Sequence, residues 1–245
     1  MKLYKRNIFN NGLFLIICFS IFTISIFLDS FISSKGSEIN ISEIQLIYNN
    51  LSLFRQGTLY IPICTVITLK LLSFTDNDLY IVRSKSKDKI WNIKIKYILI
   101  TNFIISLYLV ILSYISGTIF SSQAFIDLNT MLTLLLAISV LYTIGLSIFT
   151  VIALILNMIT SSKNISYIIL LLILVPEILN QHDSIILYSI SLNIEYIRNI
   201  VLIFSSIIKF SGVMILCCEF GRSLYKIKDI YNIKYALTIG KSYEK

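Results

Sequence analysis

The sequence predicts an all-α, polytopic membrane protein with six transmembrane helices and both termini in the cytoplasm. Three observations carry that expectation. The 245-residue chain is 56% hydrophobic, counts 51 isoleucines and has only 14% charged residues, against about 25% in soluble domains. Its apolar residues are gathered into six runs. When those runs are threaded alternately through a bilayer, 16 of the 21 Lys and Arg fall on one side, the bias expected of a cytoplasmic face.

The first run, residues 13–32, follows a basic N-terminal segment and is long enough to span. It lacks a small-x-small cleavage site, so it is expected to remain as a helix. Between it and the second run, Ile41, Ile44, Leu46, Ile47, Leu51 and Leu53 recur at helical spacing. They predict a short amphipathic helix lying on the outer surface. The second run is 57–74, with Pro62 in its outer half. The third is 97–120 and the fourth 131–158. The fifth, 165–179, is short and broken by Pro176. The sixth is 199–220. Each must be helical, because open backbone in lipid leaves N–H and C=O groups unsatisfied. Stretches such as 132–136 and 168–175 do not alternate as barrel strands would.

The inner segments are then 1–12, 76–96, 159–164 and 221–245. The outer segments hold only Lys35, Arg55 and Arg198 among the basic residues, with seven acids in them or at the outer ends of the runs. The net charge of +8 thus reflects topology and contact with anionic lipid, and it calls for no nucleic acid. The chain is expected to form a single transmembrane domain, 1–245, in a bacterial cell membrane. No internal repeat is evident.

Most membrane-enzyme chemistries lack their residues. Cys18, Cys64, Cys217 and Cys218 all lie in apolar runs, without a metal-binding spacing, and read as small apolar side chains. The single histidine, His182, sits in the last outer loop, about a membrane thickness from Cys217 and Cys218. Glu177 has no second carboxylate or HExxH motif beside it. Gly240-Lys241-Ser242 resembles the end of a P-loop, but Tyr235 stands where the first glycine belongs. No catalytic, cofactor or metal site is expected on this chain.

Lys70, near the inner end of the second run, can snorkel to the headgroups. Lys209 lies deeper, where an unpaired cation costs several kcal/mol. It either pairs with an outer acid or a backbone carbonyl, or belongs to a translocation path or subunit interface. Glu219 and Arg222, spaced i, i+3, are expected to pair. The loop 76–96 places apolar Leu79, Tyr80, Ile81 and Val82 before Arg83, Lys85, Lys87 and Lys89, then Ile90 and Trp91. Asp76 and Asp78 suit a helix start, and Trp91 suits the membrane interface. The loop is either an ordinary basic anchor or a short membrane-parallel helix that docks a partner. The tail 221–245, with Tyr225, Ile227, Ile230, Tyr231 and Ile233 among its basic residues, can lie on the inner leaflet.

The layout of six spans in about 245 residues resembles the membrane subunits of ABC-2 type ABC transporters, over nearly the whole chain. The segment 79–85, with Trp91 eight residues after Arg83, resembles their first cytoplasmic loop. The short fifth span ending at Pro176-Glu177, then apolar 185–197, resembles their broken outer segment. Permeases of peptide or bacteriocin export and immunity systems look most similar. The resemblance implies a half-transporter. Two such chains, identical or different, would face each other, each with a separate ATPase subunit that holds the ATP and Mg. Leu79, Tyr80, Ile81, Val82, Arg83, Ile90 and Trp91 would form the ATPase-coupling loop. Spans one, two and five would line a path for a hydrophobic or peptide substrate. Asn180 and Gln181 would meet substrate at the outer rim, with Lys209 in the path or an interface. The alternatives are a stand-alone secondary transporter or substrate-capture protein, and a peptide-maturing membrane protease.

Overall fold

The computed structural model describes residues 7–36, 43–76, 86–121, 128–179 and 200–242. Every regular element among them is helical. In chain order, α1 is Gly12–Gly36, α2 is Glu43–Asn50, α3 is Ile61–Leu72, α4 is Lys87–Phe120, α5 is Leu128–Thr160, α6 is Lys163–Leu179 and α7 is Ile200–Ser242. Four helices, α1, α4, α5 and α7, are long and apolar enough to cross a membrane. The fifth expected run, α6, has 17 residues, about 25 Å of helix, somewhat less than a ~30 Å hydrocarbon core.

The second expected run is reached through two irregular turns. A helical turn, Leu53–Arg55, leads into a π-helical turn, Gln56–Tyr60, where the Ile61 N–H donates to the Gln56 carbonyl five residues back. Pro62 follows at the start of α3. A residue without an N–H there falls where the register changes from five back to four, which limits its damage to the helix.

The axis of the bundle is α5. In its membrane-length window 83% of residues are buried, against 22% in α1 and α7. Its sequence explains this position: Ala137, Ser139, Thr143, Ser147, Thr150 and Ala153 are all buried, and small side chains let helices approach closely in lipid. Helices α3, α4, α6 and α7 all pack on α5, while α1 packs on α2, α3 and α4. A single stripe of α6, Ser166, Leu170 and Leu174, is buried, at the i, i+4, i+8 spacing of one helix face.

Polar side chains inside the bundle satisfy one another. The Asn102 amide on α4 donates to Ser147 Oγ (3.1 Å) and Thr150 Oγ1 (3.2 Å) on α5, and its oxygen accepts from Thr68 on α3 (3.0 Å). One turn along, Ser106 Oγ meets Thr143 Oγ1 at 2.8 Å and donates to the Ser139 carbonyl at 2.7 Å. Three helices are thus tied by groups that would otherwise be stranded in an apolar medium.

Three expectations are corrected. The amphipathic helix before the second run exists as α2, but it does not simply lie on a surface. Leu46, Ile47 and Asn50 are buried, and the Asn50 amide donates to Ser30 Oγ (2.8 Å) and Ser116 Oγ (3.0 Å). Two helices therefore hold α2 by hydrogen bonds. Pro176 does not break the fifth helix, which continues through it to Leu179. Near the C-terminal end a proline clashes with only one carbonyl, four residues back, and little helix remains to be disrupted. Asp76 does not start a helix but ends the 3-10 turn Ser73–Asp76; α4 starts at Lys87 instead, with Ser86 as its N-cap.

Candidate functional site

The basic end of the bundle brings together the start of α4 and the middle of α7. Ser86 adopts extended backbone, and its hydroxyl accepts from the Lys89 N–H at 3.2 Å. Together with Asp88 in the first turn, this cap suits a helix N-terminus. It carries α4 ten residues beyond the expected start of the third span. The extension places Ile90 and Trp91 against the rest of the protein, and both are 1% exposed.

Trp91 is the centre of this arrangement. Its indole Nε1–H donates to the Cys218 carbonyl on α7 at 3.0 Å. Its ring lies 5.9 Å from that of Tyr225. The Lys94 ammonium is buried and sits 5.3 Å from the Tyr225 centroid, within cation–π range. Charges close the rim. Arg222 pairs with Glu219 (2.8 Å), as its i, i+3 spacing predicts, and also donates to Asn92 Oδ1 at 2.8 Å. Lys226 pairs with Asp88 at 2.9 Å. The clamp joins helices that are far apart in sequence, so hydropathy alone gives no sign of it. Glycine in a long helix can mark a close approach, but α7 carries Gly212, Gly221 and Gly240, and the sequence does not single out Gly221.

The other flank of segment 77–85 is also fastened. Asn7, just before α1, donates through its amide to the carbonyls of Leu71 (2.7 Å) and Lys70 (3.2 Å) at the end of α3. Thr75 Oγ1 donates to the Leu72 carbonyl at 2.7 Å. Lys70 itself is exposed, its ammonium 3.8 Å above the Phe14 ring, in keeping with a snorkelling lysine.

At the opposite end, Asp29 on α1 forms an ion pair with Arg55 beside the π-helical turn. Gln56 donates to the Tyr142 hydroxyl, which donates to the Leu51 carbonyl. The Tyr60 hydroxyl donates to the Asn50 carbonyl at 2.8 Å. These groups bind the π-helical turn to α1, α2 and α5. Sequence reasoning placed Asp29 and Arg55 on one side of the membrane but did not pair them.

The sequence-derived site residues are thus divided. Ile90 and Trp91 lie within the clamp and present little surface of their own. Lys209 lies on the exposed side of α7, next to exposed Ile208, with no ion pair or hydrogen bond to a described residue. Leu79, Tyr80, Ile81, Val82 and Arg83, and likewise Asn180 and Gln181, lie outside the described residues. All four cysteines are free, and no group of three or more potential metal ligands occurs among the described residues. No protein-family model, no curated protein and no solved structure matches this chain.

Proposed function

We propose that this chain is the membrane subunit of an ATP-driven exporter of the ABC-2 type, spanning a bacterial cell membrane six times with both termini inside. It supplies the path for a hydrophobic or amphipathic substrate, most simply a peptide. A separate ATPase subunit binds ATP and Mg, and two permease chains complete the path. The phenol-soluble modulin exporter is a specific candidate for the system.

The observation that carries this reading is the fastening of both flanks of segment 77–85. Asn7 ties the preceding end of α3 to the segment that leads into α1. Trp91 ties the following start of α4 to α7. A partner pulling on the apolar and basic residues Leu79–Arg83 would therefore move four helices, not one flexible loop. Such a coupling element needs rigid attachments, since force on an unattached loop is lost in its own motion. α3 and α6 would complete the six spans, α3 together with the turns before it.

Lys209 favours a second reading, a stand-alone secondary transporter, because an unpaired cation on an apolar face marks an ion path in some membrane proteins. Inside-out vesicles carrying the chain and its ATPase separate the two. The ABC reading predicts ATP-dependent accumulation of a labelled amphipathic peptide. Accumulation driven by a proton gradient without ATP would replace it with the second reading.

A further inference from the structure

Beside the Trp91 clamp, α4 and α7 enclose an open groove of about 470 Å³, lined by Trp91, Asn92, Ile95, Lys96, Leu99, Ile100, Cys218 and Arg222. That volume lies within the ~300–1,000 Å³ range of ligand sites. From the groove we infer a binding site for one anionic phospholipid of the cytoplasmic leaflet, its headgroup at Lys96 and Arg222 and one acyl chain along α4. The inference rests on the membrane orientation proposed above.

Three features select this occupant. The first is polarity along the groove. Asn92 and Arg222 stand at one end and Leu99 and Ile100 at the other, with Ile95 and the stem of Lys96 between. A lipid has the same gradient from headgroup to chain.

Length is the second. From Lys96, at the headgroup, to Ile100 α4 advances four residues, about 6 Å, so the groove takes the headgroup and the first carbons of one chain, and the rest of that chain runs on into the bilayer.

The third is charge. Helical side chains lean toward their own N-terminus. Lys96 on α4 therefore leans back toward the basic end, where Arg222 on α7 lines the same groove. Nearby acids are already engaged: Glu219 with Arg222, and Asp88 with Lys226 and, at 4.0 Å, with Arg222. Lys96 is exposed and has no ion pair or hydrogen bond to a described residue. The Arg222 Nε–H is buried and faces Asp88 Oδ1 at 4.0 Å. The uncompensated positive charge of the headgroup region is therefore that of Lys96, with Arg222 beside it at the rim of the groove.

Trp91 is the chain's single tryptophan and lines the groove, so its emission reports the site. The full chain is reconstituted in vesicles containing phosphatidylglycerol or phosphatidylcholine with brominated acyl chains, and insertion is scored by flotation. We expect brominated phosphatidylglycerol to compete for quenching of Trp91 more strongly than brominated phosphatidylcholine. Lys96→Gln should reduce that preference roughly fivefold, the attraction of one basic side chain near an anionic surface. Arg222→Gln is the second variant, should Lys96→Gln alter the unquenched emission. Lys163→Gln, an exposed lysine outside the groove, should retain the preference. Equal quenching by both lipids in the inserted wild-type chain overturns the site. Equal loss in Lys96→Gln and Lys163→Gln also overturns it, because diffuse surface charge would then account for the preference. A chain that fails to insert overturns the membrane reading as well.

Discussion

The indole of Trp91 lies where a side chain on Gly221 would have to be. A Cβ built on Gly221 would come within 2.5 Å of the Trp91 Cη2 and Cζ2 atoms, far inside van der Waals contact. Gly221 is not in a left-handed conformation; it is needed for the close approach of α4 and α7. Gly221→Ala sets two effects against each other. Helix propensity gains about 1 kcal/mol, while overpacking a buried ring costs about 1–3 kcal/mol. Overpacking should win. The variant is expected to melt below the wild type in detergent and to shift Trp91 emission to the red. A higher melting temperature with unchanged emission would contradict the clamp.

Asn102 is the hub of the α3–α4–α5 contact. Replacing it with Ala leaves Thr68, Ser147 and Thr150 without their shared partner. The loss is softened because Thr150 Oγ1 also donates to the Leu146 carbonyl. A cost of about 1–2 kcal/mol is expected, the range for interhelical hydrogen bonds in membranes. Chemical unfolding in mixed micelles measures it; an unchanged midpoint would mean that the network contributes nothing net.

Asp29 and Arg55 should behave as a unit. Their side chains are 28% and 18% exposed, too buried for the near-zero value of surface pairs. A double-mutant cycle with Asp29→Asn and Arg55→Gln is expected to give a coupling of about 1–3 kcal/mol. Additive single effects would show that the pair does not hold the π-helical turn to α1.

Lys209 tests a different property. No described residue pairs with it, so Lys209→Leu should leave the melting temperature of the isolated chain the same or slightly higher. Under the proposed function it should impair transport or chain–chain association in the membrane. A clear loss of stability in the isolated chain would place a structural partner for Lys209 within the same chain.

Hydropathy locates the long helices but not their ends. The third and sixth expected runs begin at 97 and end at 220, while α4 starts ten residues earlier, at Lys87, and α7 continues past Gly221 to Ser242. Hydropathy reports depth in the membrane, whereas helix ends are set by caps such as Ser86. Pairings between distant segments were illegible for another reason. Nothing in the local pattern of Trp91 names Cys218, and nothing in that of Asn50 names Ser30 or Ser116. The i, i+3 pair Glu219–Arg222 was legible because its geometry lies within one helix. Ile90 and Trp91 were read as part of a docking loop, and the structure encloses them within the chain. Under the proposed function, docking would fall to Leu79–Arg83, which lie outside the described residues.

Under the proposed function, a separate ATPase drives this chain through segment 77–85. The most direct measurement is to tag the chain in its native host, extract it in mild detergent, and count co-purifying proteins by quantitative mass spectrometry. The same is done with Ile81 and Val82 replaced by Ala. The account predicts one ATPase copy per chain in the wild type and a large loss in the variant, with the variant still folded by Trp91 emission. Absence of any ATPase from the wild-type extract, while a control ABC complex survives the same detergent, would contradict it.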